Sequence, residues 1–214
     1  MSDARSEILD RIAAAVGGSP DVAPVVRDYR RYGALTSAER VARFCERVSD
    51  YRADVRRIEP TSVAAEVDAT CRERGIRRLV VPEGVPAAWR PPGVELVDDE
   101  ALTPRELDGL DGVLTGCTVA VAETGTIVLA AGSHEGRRAI TLVPDRHICI
   151  VGERQIVELV PEATALLGDL VARERRPLTL ISGPSATSDI ELSRVEGVHG
   201  PRTLVVLVAS RETP

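Results

Sequence analysis

Apolar residues recur along this chain in two rhythms, one helical and one strand-like. The first is helical: Ile8, Ile12 and Val16 share a face between a cap at Ser2 or Asp3 and a stop at Gly17-Gly18. Residues 19–35 are polar, contain Pro and are rich in Arg and Tyr, as in Asp28-Tyr29-Arg30-Arg31-Tyr32. This arm reads either as a surface connector or as a contact for a partner or a second copy. Thr36-Ser37-Ala38-Glu39 is a capping box opening a further helix, with Val41, Phe44, Cys45 and Val48 inward. From Asp54 the rhythm changes. A strand at Val55–Ile58 leads into a helix from Ser62 to about Arg74, which Gly75 ends, and strands follow at Arg78–Val81 and Val94–Val97. Thr103-Pro104-Arg105-Glu106 is a second capping box, with Pro at the first helical position of a short helix.

Gly112–Ala131 is a long β-type stretch broken near Thr124-Gly125, which predicts a hairpin or sharp reversal. Strands are expected at Ile140–Val143 and Ile148–Val151, then a helix from Glu162 to Arg175, a strand at Leu178–Ser182 and a closing strand at Leu204–Ala209. Strands alternating with helices at this spacing predict an α/β fold. Its form is a mostly parallel, Rossmann-like sheet flanked by helices, with a β-hairpin element. Residues 1–53 read as an N-terminal helical extension and residues 54–214 as one α/β domain.

Composition narrows the chemistry. Hydrophobic residues make up 43% of the 214, enough for a real core, while aromatics are 2%, so the core is built from Val, Leu, Ile and Ala. With so few aromatics, a net charge of −6 and no long basic run, nucleic acid is not an expected partner. All 27 basic residues are Arg. A Schiff-base mechanism and P-loop chemistry both need Lys, so neither is expected, and an anion must be met by guanidinium or backbone N–H. Cys45, Cys71, Cys117 and Cys149 form no C-x-x-C pair and the three His have no ligand spacing. No metal site, cluster or other cofactor is therefore expected in this chain. No G-x-G-x-x-G follows a strand. The start lacks a signal-peptide pattern and no apolar run approaches the roughly 20 residues of a membrane span, so a cytoplasmic location is the default expectation.

Three segments at strand ends depart from what a plain scaffold needs. In Gly116 to Thr126, Glu123 is a carboxylate in an otherwise apolar run, with Thr124 and Gly125 beside it. Facing a pocket, desolvation would suit it to act as an acid, base or nucleophile; facing solvent, it belongs to a tight turn. The Ser182-Gly183-Pro184-Ser185 loop, running on to Asp189 and Glu191, exposes backbone N–H groups that can cradle a phosphate or carboxylate, or is a rigid Ser/Thr turn. In Gly197-Val198-His199-Gly200-Pro201, a His between glycines could bond an anion or relay a proton, or bond a neighbouring carbonyl. His147, beside a strand start, is the weaker candidate.

Taken in order, Ala122-Glu123-Thr124-Gly125-Thr126, Arg137-Arg138, Leu142-Val143-Pro144, His147-Ile148, the Ser182–Glu191 run and Gly197-Val198-His199-Gly200-Pro201 resemble the LUD domain of lactate-utilisation proteins. The resemblance covers most of residues 75–210, and the short chain without ferredoxin-like Cys motifs is similar to the C type. It implies a fold like that of sugar-phosphate isomerases, CoA transferases and formyltetrahydrofolate cyclo-ligases (NagB/RpiA/CoA transferase-like). It also implies a part in oxidising L-lactate to pyruvate beside two iron–sulfur partner proteins. The expected ligand is a small carboxylate or other anion. The expected catalytic residues are Glu123 and His199; the expected ligand-binding residues are Gly116, Thr124, Gly125, Thr126, Arg138, Ser182, Gly183, Ser185, Asp189 and Gly200. Many relatives have a basic residue where this chain has Ala186; if that base neutralises a bound anion, this chain has either lost it or supplies Arg from elsewhere, with Arg137, Arg138 and Arg202 the candidates. A stand-alone enzyme of CoA-transferase type using Glu123, and a regulatory or assembly protein, are the alternatives.

Overall fold

Helix α1 (Ala4–Val16) starts where the sequence puts its cap, with the Asp3 carboxylate accepting from the Arg5 N–H. The structure is a computed structural model that describes residues 3–17, 24–187, 195–197 and 200–210. It divides into two compact units, Met1–Arg30, which holds α1, and Arg31–Pro214. In the larger unit α2 (Ser37–Asp50) follows the Thr36 capping box, and β1 (Asp54–Ile58) leads to α3 (Val63–Arg74). Then come β2 (Arg78–Val81), β3 (Glu95–Asp98), α4 (Pro104–Asp108) behind the Thr103 capping box, β4 (Gly112–Thr115), β5 (Val119–Val121) and β6 (Thr126–Leu129). The chain continues through β7 (Arg146–Gly152), β8 (Ile156–Val157), α5 (Val160–Ala172), β9 (Thr179–Ile181), β10 (Ala186–Thr187), β11 (Val195–Glu196) and β12 (Thr203–Ala209).

Six strands form an all-parallel sheet in the order β1-β12-β7-β4-β2-β3, which is the mostly parallel α/β sheet read from the alternation. Its two longest strands, β7 and β12, are buried on both faces, as parallel strands are. Ile148, Ile150, Val205 and Leu207 face α3 through Val63, Val67 and Cys71. Cys149, Val151, Leu204, Val206 and Val208 face the other way, onto Val41, Phe44 and Val48 of α2 and Ala120 and Ile127 of a second sheet. That sheet has the order β8-β5-β6-β9, and α5 covers its outer face with Ala163 and Leu167. Helix α2, read from sequence as part of the N-terminal extension, thus contributes to the central core.

Two local readings change. The stretch Gly112–Ala131 reverses at Thr124-Gly125 as read, but it holds three strands: β4 lies in the parallel sheet, and the chain crosses at Gly116–Thr118 into the antiparallel β5–β6 hairpin. Ile140–Val143 is not a strand. Residues Arg138–Thr141 form a 3₁₀ turn, with Ile140 N–H donating to the Arg137 carbonyl and Leu142 N–H to that of Ala139. The reason is Arg137, whose guanidinium grips both Asp99 carboxylate oxygens at 2.7 Å and also donates to the Leu102 carbonyl. Ile140 alone of this segment's large residues is fully buried, against Val80, Leu107 and Val113.

The end of α2 is held by two glycines. A Cβ on Gly125, at φ +62°, would stand 2.9 Å from the Arg47–Val48 backbone; one on Gly183, at φ +116°, would stand 2.6 Å from the Tyr51 Cβ. Upstream, the Gly33 N–H donates to Glu162 (3.3 Å) and the Leu35 N–H to Glu158 (2.6 Å), which straps residues 33–35 across the start of α5. Phe44→Ala is expected to cost about 3–5 kcal/mol through the cavity it leaves. Gly183→Ala should cost roughly 1–3 kcal/mol by overpacking against Tyr51, with Ser185→Ala near neutral, all read as denaturant midpoints. Partial burial would raise the Glu162 pKa, but N–H bonds from Leu159, Gly33 and Glu158 hold it below its ordinary 4.5. A depressed carboxylate stabilises the fold above its unfolded pKa, and that stabilisation is lost as pH falls through the folded value. Gly33 amide exchange, corrected for its intrinsic rate, should stay protected above about pH 4.5 and lose protection below it, and Glu162→Gln should remove that pH dependence.

Candidate functional site

Strands β7 and β12 begin side by side, with His147 opposite Leu204. Against these beginnings lies a cavity of about 270 Å³. Its walls are Arg138, Thr141 and Leu142 of the 3₁₀ turn, Thr179–Ile181 of β9, the Ser182–Ser185 loop that leaves β9, Gly200-Pro201, and His147 and Leu204 themselves. Open parallel sheets place ligands beyond their carboxyl ends. This cavity instead sits at the amino-terminal ends of two central strands, because β9 of the second sheet brings its loop there.

The wall carries one guanidinium, four hydroxyl side chains and one imidazole. Of the three arginines that could replace the missing base at Ala186, Arg137 is committed to Asp99 and Arg202 pairs with Asp145 at 3.2 Å. Arg138 faces the cavity, and among the described residues its guanidinium makes no ion pair. Neighbouring Arg137 fixes the turn that presents it. Opposite, the loop is pinned by its backbone: the Ser185 N–H donates to the Pro201 carbonyl and the Gly197 N–H to the Ser185 carbonyl. Its hydroxyls join a chain, since Ser182 Oγ lies 2.8 Å from Thr126 Oγ1, itself 2.7 Å from Thr124 Oγ1.

His147 is 1% exposed, and its Nε2 lies 2.7 Å from Thr115 Oγ1. Beneath it Cys149 and Cys117 are buried neighbours. The Cys117 thiol, with help from His147 and Thr115, draws the Cys149 pKa down against the effect of burial, and the same bond and burial push Cys117 up. Among the described residues no group of three His, Cys, Asp or Glu is placed to hold a metal ion.

The residues singled out from sequence thus fall into four sets. Arg138, Ser182, Gly183, Ser185 and Gly200 line the cavity. Thr124 and Thr126 reach it only through the hydroxyl chain, and Gly125 packs on α2. Glu123 is exposed at the tip of the hairpin, outside the lining, and Gly116 donates to the His134 carbonyl in the β4–β5 link. Asp189 and His199 lie outside the described residues. Sequence reading passed over Thr141, Leu180 and Leu204, which carry no motif, gave Leu142 no site role although it stands in a signature segment, and ranked His147 low. The signals for His147 were its place in the signature and a polar ring at the start of an otherwise apolar strand.

Comparison with known proteins agrees with this architecture. The chain is 46% identical to "Lactate utilization protein C" of Deinococcus radiodurans, over 97% of this chain and 96% of that protein. It is 27% identical to the protein of the same name from Shouchella clausii, over 92% and 93%. A crystal structure of a DUF162 family protein from Deinococcus radiodurans superposes with a TM-score of 0.72 at 39% identity, covering 82% of this chain and 99% of that one. No helix among the described residues is long and apolar enough to cross a membrane. The LUD domain model matches residues 88–209, and together with these relatives that match shows that the chain belongs to the LUD domain family.

Proposed function

We propose that this protein serves lactate utilisation by holding a small carboxylate, or a comparable anion, in the Arg138 cavity. It does so as a component of a system that oxidises L-lactate to pyruvate together with iron–sulfur partner proteins. The observation that carries the reading is the lone guanidinium set opposite a loop of hydroxyls across a cavity of small-molecule size. A carboxylate there would exchange water for a charge-assisted bond to Arg138 and neutral bonds to Ser182, Ser185 or Thr141. The relatives' names point to lactate chemistry. The iron–sulfur partners are what the resemblance to lactate-utilisation proteins implies; this chain's own cysteines have no cluster-ligand spacing.

The site residues divide the work. Arg138 neutralises the carboxylate, and the pinned Ser182–Ser185 loop orients it. His147, held by Thr115, contributes a polar ring to the wall. No covalent step is assigned to Glu123, which stands exposed outside the lining.

Calorimetric titration with L-lactate and with pyruvate tests this. Saturable binding to the native chain should weaken roughly 10- to 100-fold in Arg138→Ala, the loss of one charge-assisted hydrogen bond of about 1.5–3 kcal/mol. Ser182→Ala should lose less, and both variants should keep the native far-ultraviolet spectrum. Equal affinity in Arg138→Ala would remove the anion site.

A further inference from the structure

The cavity is larger than a three-carbon acid requires, and part of its wall is aliphatic. At the roughly 30 Å³ that a water commands in the liquid, the six heavy atoms of lactate would fill no more than about two thirds of it. Its volume of about 270 Å³ falls just short of the range of about 300–1,000 Å³ for sites that hold drug-sized organic molecules. Its walls are also divided by chemistry. The polar side chains are Arg138, Thr141, His147, Thr179 and the loop hydroxyls. The aliphatic part includes three leucines: Leu204 lines it from the core, while Leu142 and Leu180 stand 39% and 64% exposed. One exposed leucine needs no explanation, but two lining the same half-open cavity as a cation put aliphatic surface within the same site. A strongly hydrated small anion gains nothing from that surface.

We propose that the ligand is an aliphatic 2-hydroxy or 2-oxo acid longer than lactate, its carboxylate on Arg138 and its hydrocarbon chain along Leu142, Leu180 and Leu204. This rests on the anion reading above and adds the body of the ligand to its head. The wall sets the specificity: burying one methylene is worth about 0.8 kcal/mol, or about fourfold in affinity. Lactate, whose methyl group reaches little of the wall, is then a weak member of the series this site accepts.

The test is a calorimetric series of straight-chain 2-hydroxy acids from three to eight carbons, beside the neutral amides of the same acids. The native chain should bind each longer acid about fourfold more tightly until the chain clears Leu180. Leu180→Ser, at an exposed position, should flatten that trend. Arg138→Ala should weaken every acid by a similar factor, leave the trend intact and leave the amides unchanged. Acids whose Arg138-dependent affinity is flat or falls with chain length would overturn the longer ligand and leave the anion reading standing. A chain-length trend shared equally by acids and amides, indifferent to Arg138→Ala, would overturn the anion reading while the apolar wall survived. Failure of every acid to bind the folded chain would overturn both.

Discussion

His147 of β7 stands opposite Leu204 of β12, and from that register the rest of the larger unit is built. Side chains alternate across a strand, so a slip of one residue would turn every core residue of β7 to the wrong face. Ile148 and Ile150 would leave α3, and Cys149 and Val151 would leave α2 and the hairpin sheet. Both faces are apolar, but they meet different partners: a helix on one side, and a second sheet with its own helix on the other. The same register sets His147 and Leu204 side by side in the cavity wall, one polar and one aliphatic. Core and site are therefore fixed by one pairing.

What closes the cavity is the second sheet. β9 pairs antiparallel with β6, Ile181 opposite Ile127, and carries the Ser182–Ser185 loop back toward the start of β7. The Thr126–Ser182 bond ties hairpin to loop, while Gly125 and Gly183 both admit the end of α2. The residues of the signature thus share one region for two reasons. Some face the cavity, and others let a helix approach a sheet closely enough to bury Phe44 and Val48. The division among arginines follows the same economy: Arg137 builds the turn and Arg138 uses it.

Much of the fold was legible in local sequence. Thr36 and Thr103 announced their helices because a capping box is satisfied within four residues. The apolar runs of β7 and β12 announced parallel strands because both their faces are buried. The hairpin and β9 were legible, but their assembly into a second sheet was not, since β8 is two residues long and β5–β8 and β6–β9 pair across long stretches of chain. Ile140–Val143 misled because a salt bridge to Asp99, remote in sequence, bends it into a turn. The site was legible only in part: hydroxyls, glycines and Arg138 stood out as motifs, while the leucines of the wall look like any core residue until the strands are paired. Glu123, the most conspicuous residue by chemistry, sits at an exposed hairpin tip.

The central claim is one of place, that the anion binds at the start of β7 and β12 and not at the hairpin tip or the carboxyl ends of the parallel sheet. A crystal structure with pyruvate bound tests it most directly. The carboxylate is expected within hydrogen-bond distance of the Arg138 guanidinium, facing the Ser182–Ser185 loop. Density for pyruvate against Glu123, or beyond the carboxyl ends of β2 and β4 with the Arg138 cavity holding only water, would contradict it.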